Sequence, residues 1–357
     1  MQVSVEHPVV SIQWDDGGRS RFHAIWLRDN CGCGECRVAG GLDVSFSDGH
    51  RSKFSRKWLL HYDCPADSAR HDADQPLLWG QNVRLPEFDH GALMASPSAL
   101  LEYLDAVHVY GAAVVRNTPA VEGEVVRFAK AIGIIREVAF GTVHDVVNNP
   151  EGYNVAHTEL ELKPHSDLAS YSWPPSFQLL HYLLNEVTGG ETILVDGWSV
   201  LAELQREDPE SYDLLARVPV AFKIFSATHD TYAEEPIVQL HPDGRVRVFR
   251  FSNQTAQPLR ISPETVEPFY RAYKKLGRLI LEDRFGVKIK ALSGDMVTIH
   301  NHRILHGRTA YDPRSGDRHL QDLYMEWDDV MAKRRLLRGH LPLEAWPRKE
   351  ATEPRSS

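Results

Sequence analysis

The chain has 357 residues, 42% hydrophobic and 25% charged, a composition of ordinary globular proteins rather than disordered or fibrous ones. Its formal net charge of −9 argues against a nucleic-acid partner, which asks for a basic surface that displaces counterions. No apolar run approaches the ~18 residues of a membrane span, and the first residues lack the basic and apolar segments of a signal peptide, so a cytoplasmic chain without a membrane partner is expected. Against that background there are 18 histidines, and three of only four cysteines lie together, which turns attention to metal.

The first ninety residues read as short strands and turns. Val9-Val10-Ser11-Ile12-Gln13-Trp14 alternates, Asp16-Gly17-Gly18 turns, and Arg21-Phe22-His23-Ala24-Ile25-Trp26 alternates again, which predicts a hairpin. A second pair is expected at Asp43–Phe46 and Arg51–Phe54. Cys64 to Gln75 is polar and without periodicity, so the chain divides into an N-terminal module, 1–90, and a larger domain, 91–357.

Beyond the boundary, Ser96-Pro97 opens a helix with Leu100, Leu101, Leu104 and Val107 at helical spacing. Ala112–Val115 is a short buried strand, and Val125, Phe128, Ala129 and Ile132 mark a helix ending at Gly133. Strand signals then dominate at Phe177–Tyr182, Glu191–Val195, Val218–Phe222, Val246–Phe249 and Met296–Ile299. They are interrupted by one helix over Ser199 to Ala216 and another from Ser262-Pro263 to near Gly286. Many short strands with few helices, not alternating βαβ units, predict a mainly β barrel or sandwich with peripheral helices.

Two constellations carry chemistry. Cys31-Gly32-Cys33-Gly34-Glu35-Cys36 places three thiols on a Gly-rich turn, a spacing suited to zinc, which takes four tetrahedral ligands. His50 and Cys64 both stand as candidates for the fourth, and an iron–sulfur cluster would require Cys64. The second constellation is His165-Ser166-Asp167. In an extended strand, residues i and i+2 share a face, so imidazole and carboxylate reach one ion, and a second His completes the 2-His-1-carboxylate set of non-haem Fe(II) oxygenases. Two other His-x-Asp triplets, at His61 and His241, show that the triplet alone decides nothing. The His-rich run Ile299-His300-Asn301-His302-Arg303-Ile304-Leu305-His306 offers the third ligand from the opposite side of a barrel. His300, His302 and His306 share strand parity, so spacing leaves all three open. Arg318, twelve residues on, suits bidentate pairing with a carboxylate, although most arginines are surface residues.

These residues resemble the γ-butyrobetaine and trimethyllysine dioxygenase group, within the taurine dioxygenase-like superfamily of Fe(II)/2-oxoglutarate oxygenases. The likeness runs through Trp26-Leu27-Arg28-Asp29-Asn30-Cys31, His50-Arg51-Ser52-Lys53-Phe54, His165-x-Asp167, Thr188-Gly189-Gly190-Glu191-Thr192, Val195-Asp196-Gly197, Asn301-His302-Arg303-Ile304-Leu305-His306-Gly307-Arg308 and Arg318-His319-Leu320. It implies a double-stranded β-helix (jelly roll), Fe(II) on His165, Asp167 and His306, and 2-oxoglutarate on Arg318 and Thr192. O2 would be the second co-substrate. It also implies structural zinc on Cys31, Cys33, Cys36 and His50, and a homodimer.

The substrate pocket departs from the family. A trimethylammonium group is held by cation–π contact in an aromatic cage, whose positions align with Phe140, His144, His157 and Tyr324, where the family has Tyr, Trp, Tyr and Tyr. Asn154 is retained, Ser252 stands for a usual Asn, and Leu168 stands for a Tyr. A protonated histidine repels a quaternary ammonium. The expected reaction is hydroxylation of an unactivated C–H of a small zwitterion: a betaine, an amino acid or an amino-phosphonate. Desaturation or cyclisation would use the same residues. A non-redox cupin-like isomerase or binding protein explains the strands and histidines but not Arg318 or the cysteines, and a zinc hydrolase would use His165, Asp167 and His306 as ligands.

Overall fold

The computed structural model describes residues 1–29, 42–62, 75–147, 155–226 and 228–339. Cys31, Cys33, Cys36, Cys64 and Asn154 therefore lie outside the described residues. No helix among them is long and apolar enough to cross a membrane. The described residues form two compact units, one within Met1–Gln75 and one spanning Pro76–Arg338. Residues 76–90, grouped by sequence with the N-terminal module, supply Trp79 and Leu85 to the core of the larger unit.

In the N-terminal unit, Val9–Gln13 pairs antiparallel with Arg19–His23, as the alternation predicts, and also with Gln2–Glu6. That outer strand is exposed along its whole length, so no burial pattern marks it. The second predicted strand stops at His23. Ala24–Asp29 is helical instead, because burial falls on Leu27 while Ile25 points out. Leu42–Ser45 and Arg51–Phe54 form the second hairpin, and Val10, Ile12, Trp14, Phe22, Leu27 and Leu59 close a small core.

The larger unit is a jelly roll of two sheets. In one, seven strands include Ala112–Arg116, Met296–His300, Phe177–Asn185 and Arg318–Met325 in spatial order. The other is antiparallel, with Leu162–His165, Ile304–Arg308, Thr192–Asp196 and Gly286–Ile289 in order. Because successive side chains alternate between faces, Leu180, Tyr182, Val297 and Leu320 of the large sheet meet Leu194 and Ile304 of the small one. The other face of the large sheet, including Leu179, Met296 and Leu323, packs under the helices Pro97–Tyr110 and Glu124–Ile132. Ser96 caps the first of these, accepting from the Ala99 amide.

The single helix expected over 199–216 is two, Gly197–Glu207 and Pro209–Arg217. Pro209 lacks an N–H and forces the preceding residue out of helical geometry, and Asp208 caps the new start through Ser211. The last long helix ends at Ile280 rather than near Gly286. These three helices cover a further core around Phe222, Phe249 and Phe269.

Candidate active site

The small sheet positions the metal-capable side chains. Leu162 pairs with Arg308 and His165 with His306, so the register slips by one residue between the two pairs. Pro164 falls within this bulge, a place where a strand tolerates a missing donor and where a side chain is re-aimed. The two imidazoles become cross-strand neighbours with ring centroids 4.6 Å apart. His306 thus arrives from the adjacent strand, not from across the barrel as expected from sequence. Gly307 permits this approach, since a Cβ there would stand 2.5 Å from the Leu162 carbonyl oxygen.

Asp167 lies in the turn that follows, its Oδ1 3.1 Å from His165 Nε2 and its Oδ2 3.6 Å from His306 Nε2. The ligand atoms of the three lie within 4.8 Å of one another, and among the described residues no other group of His, Cys, Asp or Glu is placed to hold a metal ion. The Asn301 side chain clamps this turn. Its Oδ1 accepts from the Asp167 amide at 2.9 Å, and its Nδ2 donates to the carbonyls of Asp167 and Pro175. Leu168, next in the chain, has φ of 54°, a left-handed conformation that β-carbons disfavour and that packing must enforce.

Burial and mutual contact set the protonation of the three groups. His165 Nδ1 donates to the Lys163 carbonyl at 2.9 Å, which turns Nε2 toward Asp167 and His306. Burial pushes His306 down to about 4, so it is neutral near pH 7. Burial alone would depress His165 and raise Asp167, but each is overridden by its partner. The Asp167 carboxylate holds His165 above its ordinary value, while the two imidazoles and the Tyr324 hydroxyl hold Asp167 well below the usual carboxylate range. Asp167 Oδ2 also accepts from Tyr324 Oη at 2.8 Å and Gln178 Nε2 at 2.7 Å, and these two donors are register partners on adjacent strands of the large sheet.

His300 and His302 do other work. The strand breaks at Asn301–Arg303, which ends the parity that left three histidines open. His300 stacks on Trp327 at 4.0 Å, and His302 Nε2 donates to the Pro174 carbonyl at 2.8 Å. The neighbouring motif residues are structural: Arg303 and Asp196 form a fully buried ion pair at 2.8 Å.

The triad opens into one cavity that Phe140, His144, Leu168, Thr192, Ser252, Arg318 and Tyr324 also line. His157 stands beside it, its ring 5.3 Å from that of His144, which in turn stacks on Phe140 at 4.8 Å. Thr192 Oγ1 meets the Tyr182 hydroxyl at 2.6 Å. Arg318 is buried between the rings of Tyr182 and Tyr311; its Nε has no hydrogen-bond partner, and no carboxylate pairs with it among the described residues. Two charged lining residues were given no role in the sequence reading. Arg308 carries a visible signal, since it shares strand parity with His306; burial pushes it down to about 10 and its Nε is also unpartnered. Asp322, buried and raised by that burial, has no motif to announce it.

A jelly roll with this trio at its mouth and a waiting guanidinium beside it has the fold and site of an Fe(II)- and 2-oxoglutarate-dependent dioxygenase. Comparison with known proteins places the chain more closely. The model of the taurine catabolism dioxygenase TauD, TfdA family matches residues 72–324, and the chain belongs to that family. Residues 1–41 match the γ-butyrobetaine hydroxylase-like N-terminal family. γ-Butyrobetaine dioxygenase of Pseudomonas sp. (strain AK-1) is 34% identical, over 91% of this chain and 92% of that protein. The human γ-butyrobetaine dioxygenase is 29% identical over 92% and 94%, and the human mitochondrial trimethyllysine dioxygenase 26% over 89% and 83%. Among solved structures, asparagine oxygenase with Fe(II), hydroxyasparagine and succinate superposes with a TM-score of 0.52 over 66% of this chain and 82% of that one, at 20% identity. A taurine dioxygenase from Burkholderia xenovorans gives 0.52 over 70% and 89%, at 17% identity, a likeness of fold.

Proposed function

We propose that the enzyme hydroxylates an unactivated C–H of a small zwitterion, with Fe(II) on His165, Asp167 and His306 and 2-oxoglutarate on Arg318 and Thr192. The observation that carries this is one cavity holding both a converged His–Asp–His trio and a buried guanidinium whose Nε lacks a partner. The relatives named for γ-butyrobetaine and trimethyllysine support the substrate class. Iron, with 2-oxoglutarate and O2, supplies the oxidising chemistry when bound. The chain's own residues position and seal. The Lys163 carbonyl fixes the tautomer of His165, Tyr324 and Gln178 orient Asp167, and Arg318 offers a fork to the far carboxylate of the co-substrate. Leu162, Leu168, Leu180 and Leu320 line the walls and keep water from the reacting centre.

The test is succinate formation from 2-oxoglutarate that requires added Fe(II) and O2, across a panel of betaines, amino acids and amino-phosphonates. Asp167→Ala should abolish iron binding and leave the zinc content unchanged; iron retained at full occupancy would overturn the ligand set. We further propose structural zinc on Cys31, Cys33, Cys36 and His50, a donor set of three thiolates and one imidazole suited to a closed tetrahedral site. His50→Ala should loosen it and Cys64→Ala should not. Such thiolates persist in a reduced compartment such as the cytoplasm. A homodimer is the proposed assembly, checked by light scattering.

A further inference from the structure

We propose that Asp322 is the specificity-determining residue of the substrate pocket, and that it selects an ammonium bearing at least one N–H over a quaternary one. This rests on the oxygenase reading above and names the substrate class within it.

Asp322 sits on the strand Arg318–Met325 with its backbone paired to His144 on one side and Leu180 on the other. The residue is 5% exposed, and it lines the same cavity as the His–Asp–His trio. Its Oδ2 has three neighbours, all distant: Tyr324 Oη at 3.4 Å, Gln178 Nε2 at 3.5 Å and His144 Nδ1 at 3.7 Å. The last exceeds hydrogen-bond length. Its Oδ1 has no partner at all. A buried carboxylate with one oxygen weakly contacted and the other bare is strongly unfavourable unless something donates to it. The long contacts from Gln178, Tyr324 and His144 all fall on Oδ2, and among the described residues nothing donates to Oδ1.

What surrounds the carboxylate identifies the missing donor. Phe140 and Tyr324 turn aromatic rings toward the same space, a setting in which a cation is favoured. Tyr324 Oη touches both Asp322 and Asp167, so a group held at Asp322 lies one side chain away from the metal trio. A cation carrying N–H bonds satisfies the bare oxygen and the charge together. A trimethylammonium satisfies the charge but presents only methyl groups, leaving the acceptor unpaired and holding the two charges further apart. Sites that hydrogen-bond a substrate reject analogues that lack the bond more strongly than apolar pockets reject a missing methylene.

The experiment uses full-length protein loaded with Fe(II) and 2-oxoglutarate under argon, titrated calorimetrically with matched pairs: 4-aminobutyrate against γ-butyrobetaine, glycine against its trimethyl betaine, and 2-aminoethylphosphonate against its trimethyl analogue. In the pairs that bind, the N–H member should bind about 10- to 100-fold more tightly, the range of one hydrogen bond to a charged group. Asp322→Asn should bring that ratio close to one. A preference for the quaternary member, a ratio that survives Asp322→Asn, or no binding of any member overturns the assignment. If Asp322→Asn does not fold, by its melting temperature, Asp322→Ser replaces it, and the wild-type ratio alone already judges the proposal. Aerobic succinate assays on the same pairs separate the two readings: no succinate from any compound counts against the oxygenase, while calorimetry still decides the role of Asp322.

Discussion

Replacing Arg318 should damage co-substrate binding far more than metal binding. The guanidinium is buried, flanked by Tyr182 and Tyr311, and its Nε is unsatisfied. A carboxylate entering here gains up to two charge-assisted hydrogen bonds of about 1.5–3 kcal/mol each. Arg318→Met removes both, which corresponds to a rise in the KM for 2-oxoglutarate of roughly 100-fold to 10,000-fold. Arg318→Lys keeps a charge but not the fork, so it should lose about one bond, roughly 10- to 100-fold. Steady-state succinate formation with varied 2-oxoglutarate reads the KM, and metal analysis reads iron occupancy, which should not change. A KM for 2-oxoglutarate at the wild-type value in Arg318→Met, with iron retained, would refute the assignment and move attention to Arg308.

Asn301→Ala removes the three hydrogen bonds that clamp the Asp167 turn; iron affinity should fall about 10- to 100-fold, as for other residues that orient a metal ligand, measured by metal titration. Arg303→Met removes the buried ionic partner of Asp196, so unfolding free energy should drop by about 3–5 kcal/mol, read by urea denaturation. Burial beside Arg250, Arg136 and Arg247 pushes His302 down to about 4 from an ordinary 6.5. The unfolded chain therefore takes up this proton first, and stability falls as pH drops from about 6.5 toward 4, by about 3 kcal/mol from this group. His302→Gln, which can still donate to the Pro174 carbonyl, should flatten that part of the stability–pH curve relative to wild type.

Elements built on apolar residues, alternating or in a continuous run, were legible in the sequence. The hairpin at Val9–Gln13, the capped helix from Pro97 and the strands at Phe177 and Met296 all carry apolar residues at the spacing their geometry demands. The strand Arg318–Met325 was not, because it is buried on both faces and yet contains Arg318, Gln321 and Asp322, polar residues turned inward. Functional sites are where local pattern and global fold part company. The same reasoning covers the metal trio. His165-x-Asp167 and a nearby histidine were visible, but choosing His306 over His300 and His302 by residues alone required the turn at Asn301–Arg303, which strand parity does not reveal. Asp322 stayed hidden for a plainer reason: a lone acid two residues before a tyrosine has no spacing to read.

The two donors to Asp167 come from one rung of the large sheet, Gln178 beside Tyr324, whereas the carboxylate and both imidazoles belong to the small sheet and the turn that leaves it. The mouth of the barrel is therefore buttoned by a polar seam, while its depth is closed by the apolar contacts of Leu180, Leu194 and Val297. Through Gln178 and Tyr324 the large sheet holds the carboxylate, although it contributes none of the three converging side chains. Asp322 lies two residues from Tyr324 on that strand, so one length of backbone carries both a donor to Asp167 and the carboxylate proposed to select the substrate.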